Sequence, residues 1–349
     1  MQKNSMKIKI NKDIYFDYKK RPVVIAEISG NHAGSKKRFL ELILAASKNG
    51  ADLVKIQTYE PDDITLKNSN FKIKHGIWKS KKLWDLYKKA CTPYEWHHEA
   101  FKLAKKKKIS LFSTPFSIKA LKFLEKKKVN LYKVSSFEIT DLNLINEIAK
   151  TKKPIILSTG LSTIKEIEQS LKVINKYHNK VIILHCVSEY PTKLENSNIN
   201  RIKELKRIFK KNMIGLSDHT NGVVSSLCAT TLGIVAIEKH MKLKKNDKSQ
   251  DSKFSILPKN INEIRNLSEE IFKSSFQKKE IKINKENLYF RRSIYAKKKL
   301  FKNKKIYKDD LKTLRPKVGI CASFFNKIIN KKLKKNINKN EPIFWKDIF

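Results

Sequence analysis

Two lysines stand where lysines are costly. Lys55 lies inside the apolar run DLVKIQT (52–58) and Lys133 inside LYKVSS (131–136). An ammonium buried in an apolar strand needs a carboxylate or an anionic ligand beside it. Both runs belong to a series of eight whose C-terminal ends are polar. The first ends at Glu27, followed by Asn31 and His32; the second carries Gln57; the third ends at Thr114. The fourth ends at Ser136 and Glu138, the fifth at Ser158 and Thr159, the sixth at His185, Ser188 and Tyr190. The seventh ends at Ser217, Asp218 and His219, the eighth at Glu238, Lys239 and His240. Strand alternation gives Lys55 and Gln57 a common face, and likewise Ser217 and His219, and Glu238 and His240. Lysines ringed by Ser and Thr hydroxyls make a phosphate or carboxylate site without a P-loop. His219 and His240 end successive runs, so two neutral imidazoles can hold a divalent metal with positions left for water and substrate. For either histidine alone, a hydrogen-bonded core role is the ordinary alternative. These residue types point to a phosphorylated or carboxylated substrate and to metal-assisted carbonyl chemistry, without naming the substrate. His75, His97, His98 and His178 read as surface or loop residues, and His32 as a neighbour of the pocket.

The elements that must position these groups alternate along the chain. The apolar runs are VVIAEIS (23–29), DLVKIQT, ISLFST (109–114), LYKVSS, PIILST (154–159), VIILHCV (181–187), MIGLSDH (213–219) and VAIEKH (235–240). Between them, apolar positions recur at helical spacing. Caps are expected at Ser35, Thr92, Ser117, Asp141 and Ser162, and the helix 36–48 should stop at Asn49-Gly50. Near-continuous apolar strands imply a parallel sheet covered on both faces. Eight strand–helix units over about 250 residues match a (β/α)8 TIM barrel. An open doubly wound sheet is the competing architecture, but no GxGxxG follows the first strand. The connection from Glu60 to Thr92 leaves the catalytic end of the second strand and is long for a loop. Its Trp78, Trp84, Phe71 and Tyr87 argue for an ordered cover over the site. After residue 275 the pattern changes. The expected domains are a barrel over 1–275, a polar linker over 276–290 and a small β-rich unit over 291–349, marginal alone at about 60 residues.

The 349 residues carry 77 Lys+Arg against 33 Asp+Glu, a net charge of +44. That balance invites a nucleic-acid reading. Only eight of the basic residues are arginine, the better fork for phosphate and guanine, and the lysines are scattered among Asn and Ile. The charge therefore reads as a lysine-rich solvated surface with loose, salt-sensitive polyanion binding and no specific nucleic acid. No run is long enough to span a membrane, and the N-terminus has no apolar stretch resembling a secretory signal. Four cysteines, 91, 186, 228 and 321, form no CxxC pair, as expected of free thiols in a cytoplasmic protein.

Taken in order, AEISGNH (26–32), VKIQT (54–58), LFSTPF (111–116), YKVSSFE (132–138), STG (158–160), LHCVSEYP (184–191), GLSDHT (215–220) and EKH (238–240) resemble the motifs of the sialic acid synthase family. RRS (291–293) and LRP (314–316) resemble its small C-terminal antifreeze-like (SAF) domain, and the resemblance covers residues 20–349. Segment 71–97 is similar to the pseudaminic acid synthase branch. The resemblance implies condensation of phosphoenolpyruvate with an amino-sugar aldehyde, releasing phosphate. For that branch the sugar is 2,4-diacetamido-2,4,6-trideoxy-L-altrose. It implies that Lys55, Thr114, Lys133, Ser136, Ser158 and Ser217 hold phosphoenolpyruvate, and that His219 and His240 bind Mn2+ or Mg2+. Glu27 and Glu138 would handle protons, and Gln57, Tyr190 and Asp251 would face the sugar. Arg315 would reach the sugar from the small domain of a second subunit, making a domain-swapped homodimer. Three departures stand out: HMKLKKND replaces the usual HF…LDR, RPKVG replaces RPGxG, and Ser188 replaces a frequent Asn. Asp251 is thus placed by its spacing from His240. N-acetylneuraminate and legionaminate synthesis are the sibling readings. A nucleic-acid-binding protein and a catalytically dead barrel are the readings from other classes; intact Lys55, Lys133, His219 and His240 argue against the last.

Overall fold

The computed structural model describes residues 6–67, 71–277 and 283–349. The chain divides into two compact units, the division falling after Gln277. The first unit opens with an antiparallel hairpin, β1 (Lys7–Lys9) and β2 (Tyr15–Asp17). Eight strands follow: β3 (Val23–Glu27), β4 (Leu53–Thr58), β5 (Leu111–Pro115), β6 (Tyr132–Val134), β7 (Ile155–Ser158), β8 (Val181–Cys186), β9 (Met213–Asp218) and β10 (Ala236–His240). They close into a barrel in the order β10-β3-β4-β5-β6-β7-β8-β9, and every neighbouring pair is parallel. The expected TIM barrel is what the chain forms.

Between the strands run α1 (Lys36–Lys48), α2 (Leu83–Ala90), α3 (Tyr94–Lys107), α4 (Ile118–Lys126), α5 (Leu142–Lys150), α6 (Ile164–Ile174), α7 (Arg201–Ile208), α8 (Val224–Thr231) and α9 (Pro258–Phe276). Ser35, Ser117 and Asp141 cap α1, α4 and α5 through their side-chain oxygens, each satisfying one of the unpaired N–H groups of a first turn. Two expected caps move by one residue. Pro93 stands at the cap of α3 in place of Thr92, and Thr163 replaces Ser162 at α6. Thr163 wins because Glu166 sits three residues on and closes a reciprocal capping box with it.

Strand parity splits the barrel residues into two sets. Outward-facing Val24, Val54, Tyr132, Leu157, Ile183, Ile214 and Ile237 pack under the helices. Inward-facing Ile25, Leu53, Phe112, Leu131, Ile156, Ile182 and Met213 form the lower floor. The hairpin plugs that floor with Ile8 and Phe16, and the Tyr18 hydroxyl accepts the Ile214 N–H at 2.9 Å. Burying a Phe side chain fully stabilises by about 1.5–3 kcal/mol, and Phe16 is fully buried. In the second unit β11 (Ser293–Ala296) pairs antiparallel with β12 (Leu311–Leu314) over its own core, which includes Ile294, Leu300, Ile320 and Ile343. No helix among the described residues is long and apolar enough to cross a membrane.

Candidate active site

Two residues above the apolar floor, the same inward parity delivers a different chemistry. Ile25 gives way to Glu27, Leu53 to Lys55 and Gln57, Phe112 to Thr114, Leu131 to Lys133 and Ile156 to Ser158. Register then aligns them across strands: Glu27 with Lys55, Gln57 with Thr114, Cys186 with Ser217, and Ser217 with Glu238. A cavity opens there at the C-terminal end of the barrel. Lys55, Gln57, Lys133, Ser136, Glu138, Ser158, Tyr190, Ser217, His219, His240 and Asp251 all line it.

The two lysines are held by two glutamates. Lys55 Nζ lies 2.7 Å from Glu27 Oε2 and 3.2 Å from Glu238 Oε1, and Lys133 Nζ lies 3.5 Å from the same Glu238 oxygen. All four side chains are at most 4% exposed. Burial works against the Lys55 charge, but Glu238 and Glu27 outweigh it and hold the ammonium above its ordinary pKa. For Lys133 burial prevails over the pull of Glu238, and its pKa falls below the ordinary lysine value. Burial opposes the Glu238 charge too, yet Lys133 and Lys55 bring that carboxyl down to about 2.

Hydroxyls surround this charged floor: Ser217 Oγ donates to Glu238 Oε1 at 3.1 Å, while others lack partners. Thr114 Oγ1, Ser158 Oγ and Ser188 Oγ are buried with no hydrogen bond among the described residues. Ser136 Oγ accepts the Gly160 N–H at 3.1 Å. A Cβ at Gly160 would come within 2.2 Å of Ser188 Oγ and 2.9 Å of Ser136 Oγ, so only glycine leaves this cradle open. Buried hydroxyls left unsatisfied are costly unless a ligand completes them, and an oxyanion between the lysines would do so.

On the β9–β10 side the His219 and His240 rings stand 5.4 Å apart. His219 Nδ1 donates to the Val187 carbonyl at 2.9 Å, and His240 Nδ1 lies 3.3 Å from Asp251 Oδ2. The Val187 carbonyl thus orients the His219 ring, as outer partners do for metal-binding histidines, whereas His240 Nδ1 makes no hydrogen bond and only lies near the Asp251 carboxylate. No three His, Cys, Asp or Glu side chains converge as a metal cluster among the described residues. The chain therefore offers two imidazoles to a divalent ion, with the other positions left to water and substrate, and the donor set fits that ion.

Glu138 stands apart from the ion-paired glutamates. Its Oε2 accepts the Ser135 hydroxyl, and burial, opposed by Lys133, pushes the carboxyl up to about 7. Glu27 does not line the cavity. Its Oε1 accepts the Ser29 N–H at 2.6 Å and its other oxygen is given to Lys55, so it reaches the cavity only through that lysine. Thr114 likewise lies just beneath the lining. Arg315 is exposed, on the second unit.

Several positions differ from the sequence reading. His97 is fully buried, with Nδ1 on the Pro93 carbonyl at 3.0 Å and Nε2 on Thr58 Oγ1 at 2.8 Å, and burial lowers its pKa to about 4. His32, expected as a neighbour of the pocket, meets the carbonyl of the lining residue Ala90 at 3.0 Å without lining the cavity itself. His185, Asp218 and Lys239 have outward parity. His185 meets the Ser197 carbonyl, and Asp218 pairs with Lys239 at 2.8 Å. The central place of Glu238 was missed, although its parity with His240 was visible. Two inward lysines demand more than one carboxylate, and that demand is the signal that finds it. The 60–92 connection carries Trp78, Leu86, Tyr87 and Ala90 into the cavity wall, and Trp78 Nε1 donates to the Gln250 carbonyl at 3.2 Å.

The model of the NeuB family matches residues 42–280 and that of the SAF domain residues 291–348. The chain belongs to the NeuB family. Pseudaminic acid synthase of Helicobacter pylori is 38% identical over 94% of this chain and 98% of that protein. N,N'-diacetyllegionaminic acid synthase of Campylobacter jejuni is 33% identical over 93% of this chain and 99% of its own length. The crystal structure of N-acetylneuraminic acid (sialic acid) synthetase from Leptospira borgpetersenii, in complex with citrate, superposes with a TM-score of 0.72 at 27% identity. It covers 81% of this chain and 94% of that one.

Proposed function

We propose that this NeuB-family chain is a pseudaminic acid synthase, a C–C bond-forming transferase. It condenses phosphoenolpyruvate with 2,4-diacetamido-2,4,6-trideoxy-L-altrose and water, giving pseudaminic acid and phosphate. The observation that carries the reading is one cavity combining a lysine and hydroxyl oxyanion cradle with a pair of imidazoles. Similarity to the Helicobacter pylori synthase, at 38% identity over nearly the full length, favours this sugar over its siblings.

In this reading C3 of phosphoenolpyruvate attacks the aldehyde carbon and water adds at C2. Phosphate then leaves with its bridging oxygen. Lys55 and Lys133 bind the phosphate and carboxylate, and Thr114, Ser136, Ser158 and Ser217 orient their oxygens. Glu27 and Glu238 keep the lysine pair charged and in place. Glu138, protonated up to about pH 7, donates to the aldehyde oxygen as it becomes a hydroxyl. Gln57, Tyr190 and Asp251 face the sugar. His219 and His240 would hold Mn2+ or Mg2+, which supplies Lewis-acid polarisation of the aldehyde carbonyl. Arg315 of a second copy reaches the sugar in a domain-swapped homodimer. Exposed Phe137, Leu161, Leu194 and Val224 follow β6, β7, β8 and β9, an apolar rim suited to such a contact. Four free cysteines accord with a cytoplasmic location.

The test is phosphate release from phosphoenolpyruvate with Mn2+. The altrose derivative, N-acetylmannosamine and the legionaminate precursor are offered in parallel, with EDTA and His219→Ala as controls. Release with the altrose derivative alone, abolished by both controls, is expected. Release only with another sugar would overturn the branch, and release with none would overturn the reaction.

A further inference from the structure

The cavity has a second character that its charged floor does not use. Beyond the ends of β4 and β5, past Gln57 and Thr114, the wall turns apolar. Tyr59 follows β4 and Phe116 follows β5, with ring centroids 5.1 Å apart. Helix α2 closes over them with Leu86, Tyr87 and Ala90, and Tyr87 meets Tyr59 edge to face at 5.9 Å. Leu86 is 7% exposed and Tyr59 2%. Leu86 and Ala90 are four residues apart, so they share one face of α2. Neither they nor Phe116 offers a side-chain hydrogen-bonding group.

Resting on the synthase reading above, we propose that Leu86, Ala90 and Phe116, framed by the Tyr59 and Tyr87 rings, form the recess that receives the C6 methyl group of the 6-deoxy sugar. The chemistry fixes the sugar's direction. Its aldehyde carbon must lie at the floor, where Lys55 and Lys133 hold the carbon nucleophile. The chain end remote from C1 then points out of the barrel toward the covering segment. There a methyl group buries apolar surface, whereas a hydroxymethyl group would lose its water with no donor or acceptor from Leu86, Ala90 or Phe116 to replace it. Two of the residues that read the deoxy position, Leu86 and Ala90, thus come from α2, inside the connection that the sequence marks as unusual, and the third, Phe116, from just beyond β5. An apolar recess rejects an added hydroxyl only moderately, by about 10–100-fold in kcat/KM.

The experiment compares the 6-deoxy sugar with its 6-hydroxy counterpart, 2,4-diacetamido-2,4-dideoxy-L-altrose, by phosphate release and by Trp fluorescence titration. Trp78 in the wall makes binding readable without turnover. The parent should prefer the deoxy sugar by about 10–100-fold. Leu86→Ser and Ala90→Ser should shrink that ratio at least several-fold by weakening the deoxy sugar, with the phosphoenolpyruvate KM kept. Leu86→Met should retain the preference. Ala90→Ser adds a single oxygen and guards against a variant that merely unfolds α2. Equal use of both sugars by the parent, or a ratio unmoved in folded Leu86→Ser and Ala90→Ser, overturns the recess. Release with neither sugar, but with N-acetylmannosamine, overturns the synthase branch and the recess with it.

Discussion

Glu238→Gln is the substitution that most directly tests the charged floor. The side chain keeps its size but loses its charge between two ammonium groups, at 3.2 Å from Lys55 and 3.5 Å from Lys133. The cluster passes from two lysines balanced by two glutamates to two lysines facing Glu27 alone. Breaking a buried pair from one side costs about 3–5 kcal/mol. At about 2–4 °C per kcal/mol for a domain of this size, the barrel's melting temperature should fall by about 6–20 °C. The loss should depend on pH with a definite sign. Lys133 already titrates below the ordinary lysine value, and Glu238 is the main group opposing that shift. Without it the folded-state pKa drops further, while the unfolded chain keeps its ordinary value near 10.4. The folded state then binds fewer protons than the unfolded one, so stability rises with pH through the folded pKa of Lys133. The deficit should therefore be larger at neutral pH than as pH approaches the ordinary lysine value of about 10.4. Added phosphate should raise the melting temperature of the variant more than that of the parent, because the site has gained a positive charge. Thermal melts followed by circular dichroism, with and without phosphate, read all three effects. A variant that melts with the parent, or a deficit equal in both pH ranges, would refute the shared-carboxylate arrangement.

Other perturbations separate the roles of neighbouring groups. Turnover should decline as pH rises through about 7, where Glu138 loses its proton, and Glu138→Gln should remove that limb from the kcat/KM profile. Gly160→Ala places a methyl against Ser136 and Ser188 hydroxyls; phosphoenolpyruvate KM should rise roughly tenfold or more, equivalent to about 1.4 kcal/mol, with little change in melting temperature. His97 is neutral in the fold, with its pKa lowered to about 4. Stability should therefore fall as pH drops from the ordinary histidine range toward 4, and His97→Gln should flatten that fall in an acid denaturation series.

Much of the barrel and its site is legible in the sequence, for a physical reason. A barrel strand covered on both faces must be apolar, so each inward polar residue near its end is an exception that stands out. Lys55, Lys133, His219 and His240 were found in that way, and strand parity alone separates inward Ser217 and His219 from outward Asp218. What stayed hidden lacks a local signature. The β1–β2 hairpin is three residues a side, KIK and YFD, and only the open floor of a finished barrel gives Ile8 and Phe16 somewhere to go. His97 looked solvated because α3 is studded with lysines, and its burial depends on Thr58 from a distant strand. Helix α2 was visible only as a long connection with aromatic residues, since its Tyr87 packs on Tyr59, which follows a distant strand and itself meets Phe116.

The +44 charge and the charge of the site are separate matters. Surface lysines cost little because water and salt screen them, over a distance of about 8 Å at physiological ionic strength. Inside the barrel no such relief exists, and there the chain balances its lysines one for one: Lys55 and Lys133 against Glu27 and Glu238, and, facing outward, Lys239 against Asp218. A composition drifting toward lysine has not crossed into the core. The field that an anionic ligand would meet at the floor is consequently local. It would come from two ammonium groups held 3.2–3.5 Å from one shared carboxylate oxygen. The unpartnered Ser158 hydroxyl lines the same cavity and could share that ligand's oxyanion. Preorganisation of this kind, with the cost of burying the charges met at folding, would let the site bind an anion without rearranging.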